Sequence, residues 1–299
     1  MQKIRYFFLP LSIALIFGLM IFLAFGTTVS AMKTKKEPKR AILLVAFGTS
    51  VPEAAKALDG IEKSVREKHA GTEVRWAYTS KTVRARHAAR GKVMDSPEIA
   101  LSRLMDEGFT HVAVLSLHVV PGQEFHDLFH NAMRFSDMSG GFEKIVVARP
   151  LLGNHEDMTR VADALSKKYA VREGAGEGVV FIGHGNSRHP SDAIYAAMGF
   201  LFGDRDPNLF AGTVSGHPTA DELVPRLAAA KVRKVRLVPL MTVAGEHARK
   251  DMAGDAPDSW KSILAKAGVT SEAVFTGLVE YPEIVRVWMD HLDDVLSQL

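Results

Sequence analysis

No cysteine occurs anywhere in the sequence, which excludes both disulfides and thiolate metal sites. Any transition-metal site must therefore use imidazole, carboxylate or the nitrogens of a bound ligand. Aromatic residues are scarce at 8%, while 24 glycines signal many tight turns. The nucleotide-cradling patterns GxxxxGKS/T and GxGxxG are missing, as are the GxSxG elbow of serine hydrolases and the HExxH zinc motif. No nucleotide cofactor is expected. An excess of one charge is also lacking once the N-terminus is set apart. Lys3 and Arg5 are the only charged residues among the first 31, so 35 of the 37 basic residues face all 34 acidic ones in the remainder. That balance removes the main electrostatic argument for a nucleic-acid partner.

What is present begins with a basic start at Lys3 and Arg5, an apolar run from Tyr6 to Phe25, and small residues at Val29-Ser30-Ala31. This is the layout of a secretory signal peptide over residues 1–31, and it places the mature protein in the periplasm. The apolar run is long enough to leave an uncleaved anchor helix as the alternative. Residues 32–38 read as a short, solvated basic arm.

Beyond the arm, Val-, Ile- and Leu-rich segments alternate with segments of helical period, the pattern of parallel strands with crossover helices. The strand candidates are AILLVAFGT, EVRWAYT, HVAVLSLHV and KIVVARPLL, then VVFIGHG, LFAGTVSG, VRLVPLMTV and AVFTGLV. The two sets of four correspond in order. AILLVAFGTS matches VVFIGHGNS, with Gly48 opposite Gly185 and Phe47 opposite His184. LSRLMDEGFTHVAVLSLHVVPGQEF matches VPRLAAAKVRKVRLVPLMTVAGEHA without a gap, setting Glu124 opposite His247. Repeats this long indicate a duplicated domain rather than a solenoid. The expected architecture is α/β: two similar Rossmann-like lobes, 39–160 and 161–299, each a four-stranded parallel sheet flanked by helices. Ligands of such sheets bind beyond the carboxyl ends of the strands, here in a cleft between the lobes.

The residues just past the strand ends are Thr49, Ser50, Glu124, His126, His184, Asn186, Ser187, His217, Glu246 and His247. His184 stands between two glycines where an apolar strand stops. Glu124 and His247 follow equivalent strands and should meet across the cleft. Imidazole with carboxylate suits a divalent first-row metal, so His184, Glu124 and His247 form the candidate metal site. His118, His126 and His130 form a looser group. His126 and His130 are four apart and could share a helix face, binding haem or a second metal at a contact between copies of the chain. Lys81, Arg84, Arg86, Arg90, Arg188 and Arg249 could pair with carboxylates of a ligand.

At this point LLVAFGTS, SLHVVPGQEF, FIGHGNSRHPSDAIYAAM and VPLMTVAGEHARKDMAGDAPDSWKSIL together resemble the CbiK-type anaerobic cobalt chelatases, which stand with ferrochelatase in the ATP-independent class II. The resemblance covers nearly all of residues 40–299. It implies insertion of Co²⁺, and often Fe²⁺, into sirohydrochlorin, an octacarboxylate tetrapyrrole. Carried over by residue, His184 matches the family's first active-site histidine, His247 its second, and Glu124 the acidic residue of the LHxxxGxE segment. His184 would then accept a pyrrolic proton, His247 and Glu124 would hold the ion, and Ser50, Asn186 and Ser187 would orient the ring. Export departs from the family's cytoplasmic setting and would suit iron or haem handling. An exported carrier that binds metal or haem without chemistry is the alternative reading.

Overall fold

The computed structural model describes residues 37–172 and 174–299. The expected signal peptide and most of the basic arm lie outside the described residues. Eight strands form two parallel sheets of four. The first holds β1 (Arg40–Ala46), β2 (Glu73–Tyr78), β3 (His111–Ser116) and β4 (Lys144–Val147) in the order β2-β1-β3-β4. The second holds β5 (Glu177–Gly183), β6 (Leu209–Thr213), β7 (Lys234–Pro239) and β8 (Thr270–Ala273) in the order β6-β5-β7-β8. The repeated order is the duplication read from sequence. β1 and β5 are central and buried on both faces after their first residue, which is why each is a continuous apolar run instead of an alternating one.

The helices are α1 (Pro52–Lys68), α2 (Lys81–Ala88), α3 (Pro97–Asp106), α4 (Gln123–Asp137), α5 (His155–Lys168), α6 (Asp192–Arg205), α7 (Ala220–Ala229), α8 (Trp260–Lys266) and α9 (Pro282–Leu296). Local chemistry starts most of them. The side chains of Ser80, Ser96, Asn154 and Ser259 accept from backbone N–H groups of the first turn, and Thr219 with Glu222 closes a capping box.

The expected boundary between residues 160 and 161 falls inside α5. Residues 38–299 form one compact unit, because one face of each sheet feeds a common core. Ile42 and Leu44 of β1 and Phe181 of β5 belong to it, together with Val161 and Leu165 of α5 and Trp288 and Leu292 of α9. The intervening residues Leu43 and Val45, or Val180 and Ile182, point into separate cores under each lobe's own helices. α5, which closes the first half in sequence, packs against α6, whereas α9 returns to lie on β3, β4 and α5. Its buried residues Ile284, Val287, Trp288, His291, Leu292 and Val295 make the apolar stripe that this crossing requires.

The eighth strand also departs from expectation. It runs over Thr270–Ala273, ahead of most of AVFTGLV. The segment after it leaves the sheet because Leu278 N donates to Met241 O and Gly277 N to Glu280 Oε1, winding Leu278–Glu280 into a 3₁₀ turn against the loop after β7.

Candidate active site

His184 stands where β5 runs out. Gly183 before it has Tyr195 of α6 packed on its α-carbon; a side-chain carbon there would lie 2.0 Å from the tyrosine ring. Gly185 after it takes φ +76°, and a side chain there would meet Gly216 N and Thr213 at 2.7 Å. Only glycines allow the chain to turn this sharply between packed neighbours. Asp192 fixes the turn from below: Oδ1 accepts from Asn186 N at 2.6 Å and Oδ2 from His217 N at 3.0 Å. His184 Nδ1 lies 2.7 Å from the Gly185 carbonyl oxygen. That oxygen can only accept, so Nδ1 carries the proton and Nε2 presents a lone pair.

His247 reaches the same place from the loop after β7. It precedes Ala248–Met252, a π-helical turn of the kind that concentrates at functional sites. Its Nδ1 lies 2.6 Å from Asp251 Oδ2, so Nδ1–H donates to the carboxylate and Nε2 is again left free. The two imidazoles touch edge to face, with centroids 4.4 Å apart and planes at 87°. Although solvent reaches the His184 side chain, the protein mass around it makes desolvation the largest influence on its pKa, which is pulled below the ordinary value. The Gly185 carbonyl, Asp251 and Glu124 oppose this, and the neighbouring His247 adds to it. At neutral pH His184 is therefore a neutral base beside a second nitrogen donor.

Glu124 occupies the first turn of α4, exposed, and its charge acts on His184. Among the described residues no group of three or more His, Asp and Glu side chains is already gathered closely enough to hold a metal ion. The histidines meet; the carboxylate is near but apart. Ser50 Oγ donates to Glu246 Oε2 at 3.3 Å, Arg86 Nη1 reaches the same oxygen at 3.0 Å, and Lys250 holds Glu246 Oε1 at 2.7 Å. Arg249 pairs with Glu53 at 3.4 Å. Ser50, Arg86 and Arg249 are thus engaged in joining the two lobes. Thr242 Oγ1 adds a bond to Leu117 O at 2.6 Å. Asn186 and Ser187 are exposed on the loop after β5, where Asn186 Oδ1 accepts from Arg188 N at 3.1 Å.

The looser histidine group divides. His118 follows β3, with Nδ1 2.9 Å from Ser116 Oγ and a buried, unpartnered Nε2; burial pushes its pKa down to about 4. His126 and His130 share one side of α4, with centroids 6.5 Å apart, and His126 also stands 5.4 Å from the ring of His189. Two groups had no place in the reading from sequence. Asp251 follows His247 by four residues, a helical spacing that was available as a signal. Asp192 had none, since its partners at Asn186 and His217 lie on two separate loops.

The fold and the paired imidazoles define a class: a two-lobed α/β protein that sets two imidazoles edge to face where β5 and β7 run out. The family described as "Cobalt chelatase (CbiK)" matches residues 40–297, and the chain belongs to it. It is 42% identical to the sirohydrochlorin cobaltochelatase CbiKC of Nitratidesulfovibrio vulgaris, covering 87% of this chain and 92% of that one. It is 32% identical to the sirohydrochlorin cobaltochelatase of Salmonella typhimurium, covering 87% and 97%. Among solved structures it resembles SirB from Bacillus subtilis with Fe³⁺, at a TM-score of 0.57 and 16% identity over 86% of this chain and 95% of that one. It also resembles CbiX, described as the terminal enzyme of sirohaem biosynthesis in denitrifying bacteria, at 0.53 and 17% over 85% and 99%. At these identities the two structures speak for the fold alone.

Proposed function

We propose that this chain inserts Co²⁺ into sirohydrochlorin without a nucleotide, with Fe²⁺ as a second metal substrate. The observation that carries the reading is the contact of His184 with His247, each pinned through Nδ1 so that both Nε2 lone pairs are available. Insertion exchanges two pyrrolic N–H protons for one divalent ion, and charge neutralisation of the ring supplies the driving force. His184 Nε2 accepts a pyrrolic proton. His247 Nε2, with Glu124 closing in from the other wall, holds the ion while it sheds water. Carboxylate–imidazole pairing through Asp251 keeps the His247 ring oriented and its Nε2 electron-rich.

The test is optical. Purified protein, sirohydrochlorin and Co²⁺ are mixed without ATP, and the macrocycle spectrum is followed against a protein-free control. Accelerated conversion to the metallated spectrum is expected. Bound but unmetallated sirohydrochlorin would identify a carrier instead.

A haem or second-metal role for His126 is favoured by a surface cavity of about 660 Å³ on α4, where His126 and His130 stand among Phe125, Phe129 and Arg149. Imidazole would ligate iron and the phenyl rings would cover a macrocycle face. A site on an exposed helix face would be completed by a second copy of the chain. His126→Ala should then lower the haem content of the purified protein; unchanged content would remove this role.

The leader pattern at residues 1–31 supports export. Mature protein recovered from the periplasm should begin near Met32, whereas sequencing that finds Met1 intact in a soluble cytoplasmic pool would contradict it.

A further inference from the structure

We infer that Phe47 is a substrate-contacting residue of the same cleft, its ring forming a platform for one face of the tetrapyrrole while His184 and His247 serve the other. The inference rests on the proposed chelatase reading and supplies that site with its second wall.

The duplicated topology places Phe47. It follows β1 directly, as His184 follows β5, and β1 and β5 hold the same central place in sheets of identical order. Glu124 follows β3 as His247 follows β7, and β3 lies beside β1 in register just as β7 lies beside β5. Phe47 and Glu124 therefore hold the places in the first sheet that His184 and His247 hold in the second. Each wall then carries one charged or metal-binding group and one ring.

The local structure presents the ring instead of burying it. Phe47 is 41% exposed, whereas Ala46 before it and Thr49 after it are 2% and 6% exposed. Its backbone is held on both sides: Phe47 O accepts from Ser80 N at 3.2 Å, and Gly48, at φ +94°, is walled by Tyr78 and Val83. The next residues lie against the other lobe, since a side-chain carbon at Gly245 would be 3.0 Å from Thr49 Oγ1 and Ser50 bonds Glu246. Phe47 thus stands at the edge where the lobes meet.

The chemistry explains why this position is phenyl where its counterpart is imidazole. A macrocycle must be held flat against something while a base and an ion approach its nitrogens from the other side. A phenyl ring stacks on the macrocycle but has no lone pair. A second imidazole there would compete for the ion on the wrong face.

The experiment uses the full chain with Phe47→Ala, Phe47→Leu and Phe47→Tyr. Sirohydrochlorin fluorescence is titrated without metal, and insertion is measured across Co²⁺ concentrations. By analogy with bases stacked on aromatic side chains, Phe47→Ala should weaken sirohydrochlorin binding roughly 10- to 100-fold. Phe47→Tyr should retain binding and Phe47→Leu fall between. The Co²⁺ concentration for half-maximal rate should not move in any of them, and thermal unfolding should match the parent because the ring is exposed. Parental ring affinity in Phe47→Ala, or a shifted Co²⁺ requirement at parental ring affinity, would overturn the inference. A parent chain that neither binds nor metallates sirohydrochlorin would instead sink the chelatase reading, and this inference with it.

Discussion

Replacing His184 by alanine is expected to slow metal insertion by about 10²–10⁴-fold, the usual cost of losing a general base. Sirohydrochlorin binding should be largely retained, because the ring is gripped by other groups. His247→Ala should also slow the reaction, but added Co²⁺ should restore part of the rate, since a weakened ion site refills by mass action. The pH profile follows from the environment of His184. Desolvation first, and His247 beside it, hold the pKa below the ordinary 6.5, against the pull of the Gly185 carbonyl, Asp251 and Glu124. The active neutral form therefore predominates at neutral pH, and the rate should fall as acidification protonates His184 below the ordinary histidine value. Stopped-flow absorbance at several pH and metal values reads all of this. Near-parental rates for both alanine variants at low Co²⁺ would make these histidines structural and turn the reading toward a carrier.

The second large effect is expected on stability, at a place remote from the chemistry. Asp157 is 1% exposed, and its Oδ2 accepts from Arg149 Nε at 2.9 Å and from His291 Nε2 at 2.9 Å. His291 is fully buried, and its desolvation is the largest influence holding its pKa below the ordinary value. Arg149 continues to Asp294 at 2.9 Å, so β4's exit, α5 and α9 are tied at one junction whose Asp157–His291 half is buried. Asp157→Ala leaves the buried His291 Nε2 without its acceptor, while Arg149 keeps Asp294. A buried polar group left unsatisfied in this way costs about 1–3 kcal/mol. Urea unfolding should show a lower midpoint with little change in slope, and Asp157→Asn, which keeps an acceptor oxygen, should lose less. An unchanged midpoint for Asp157→Ala would mean that the apolar seam alone holds α9 in place.

Much of the fold was legible because the repeats and the strands are local patterns. Seven of the eight strands coincide with the runs named from sequence, four lying within them and β1, β5 and β7 beginning one or two residues earlier, and the central strands betray their burial by lacking alternation. The eighth was misplaced because ValPhe-rich sequence around Val274 and Phe275 has strand propensity, while the bond from Leu278 N to Met241 O pulls the following chain off the sheet. The expected division between 160 and 161 falls within α5. The duplication marks where the sequence repeats, not which sheet the closing helix of each half covers.

In the candidate site, the residue types and their strand-end positions were readable: His184 between glycines, and Glu124 and His247 at matching places in the repeat. Absences were equally informative, since a chain without cysteine or a phosphate loop cannot use thiolate or a P-loop nucleotide site. Only the tertiary structure decided that His184 and His247 touch, that Glu124 stands off from them, and that Ser50 and Arg86 meet Glu246 across the lobes. It also decided the tautomers, through Gly185 O for one ring and Asp251 for the other. The physical reason is that periodicity reports which face of an element is buried, a property of neighbours along the chain. Which nitrogen keeps its lone pair depends on the acceptor that folding brings within about 3 Å of the other, and no local pattern encodes that distance.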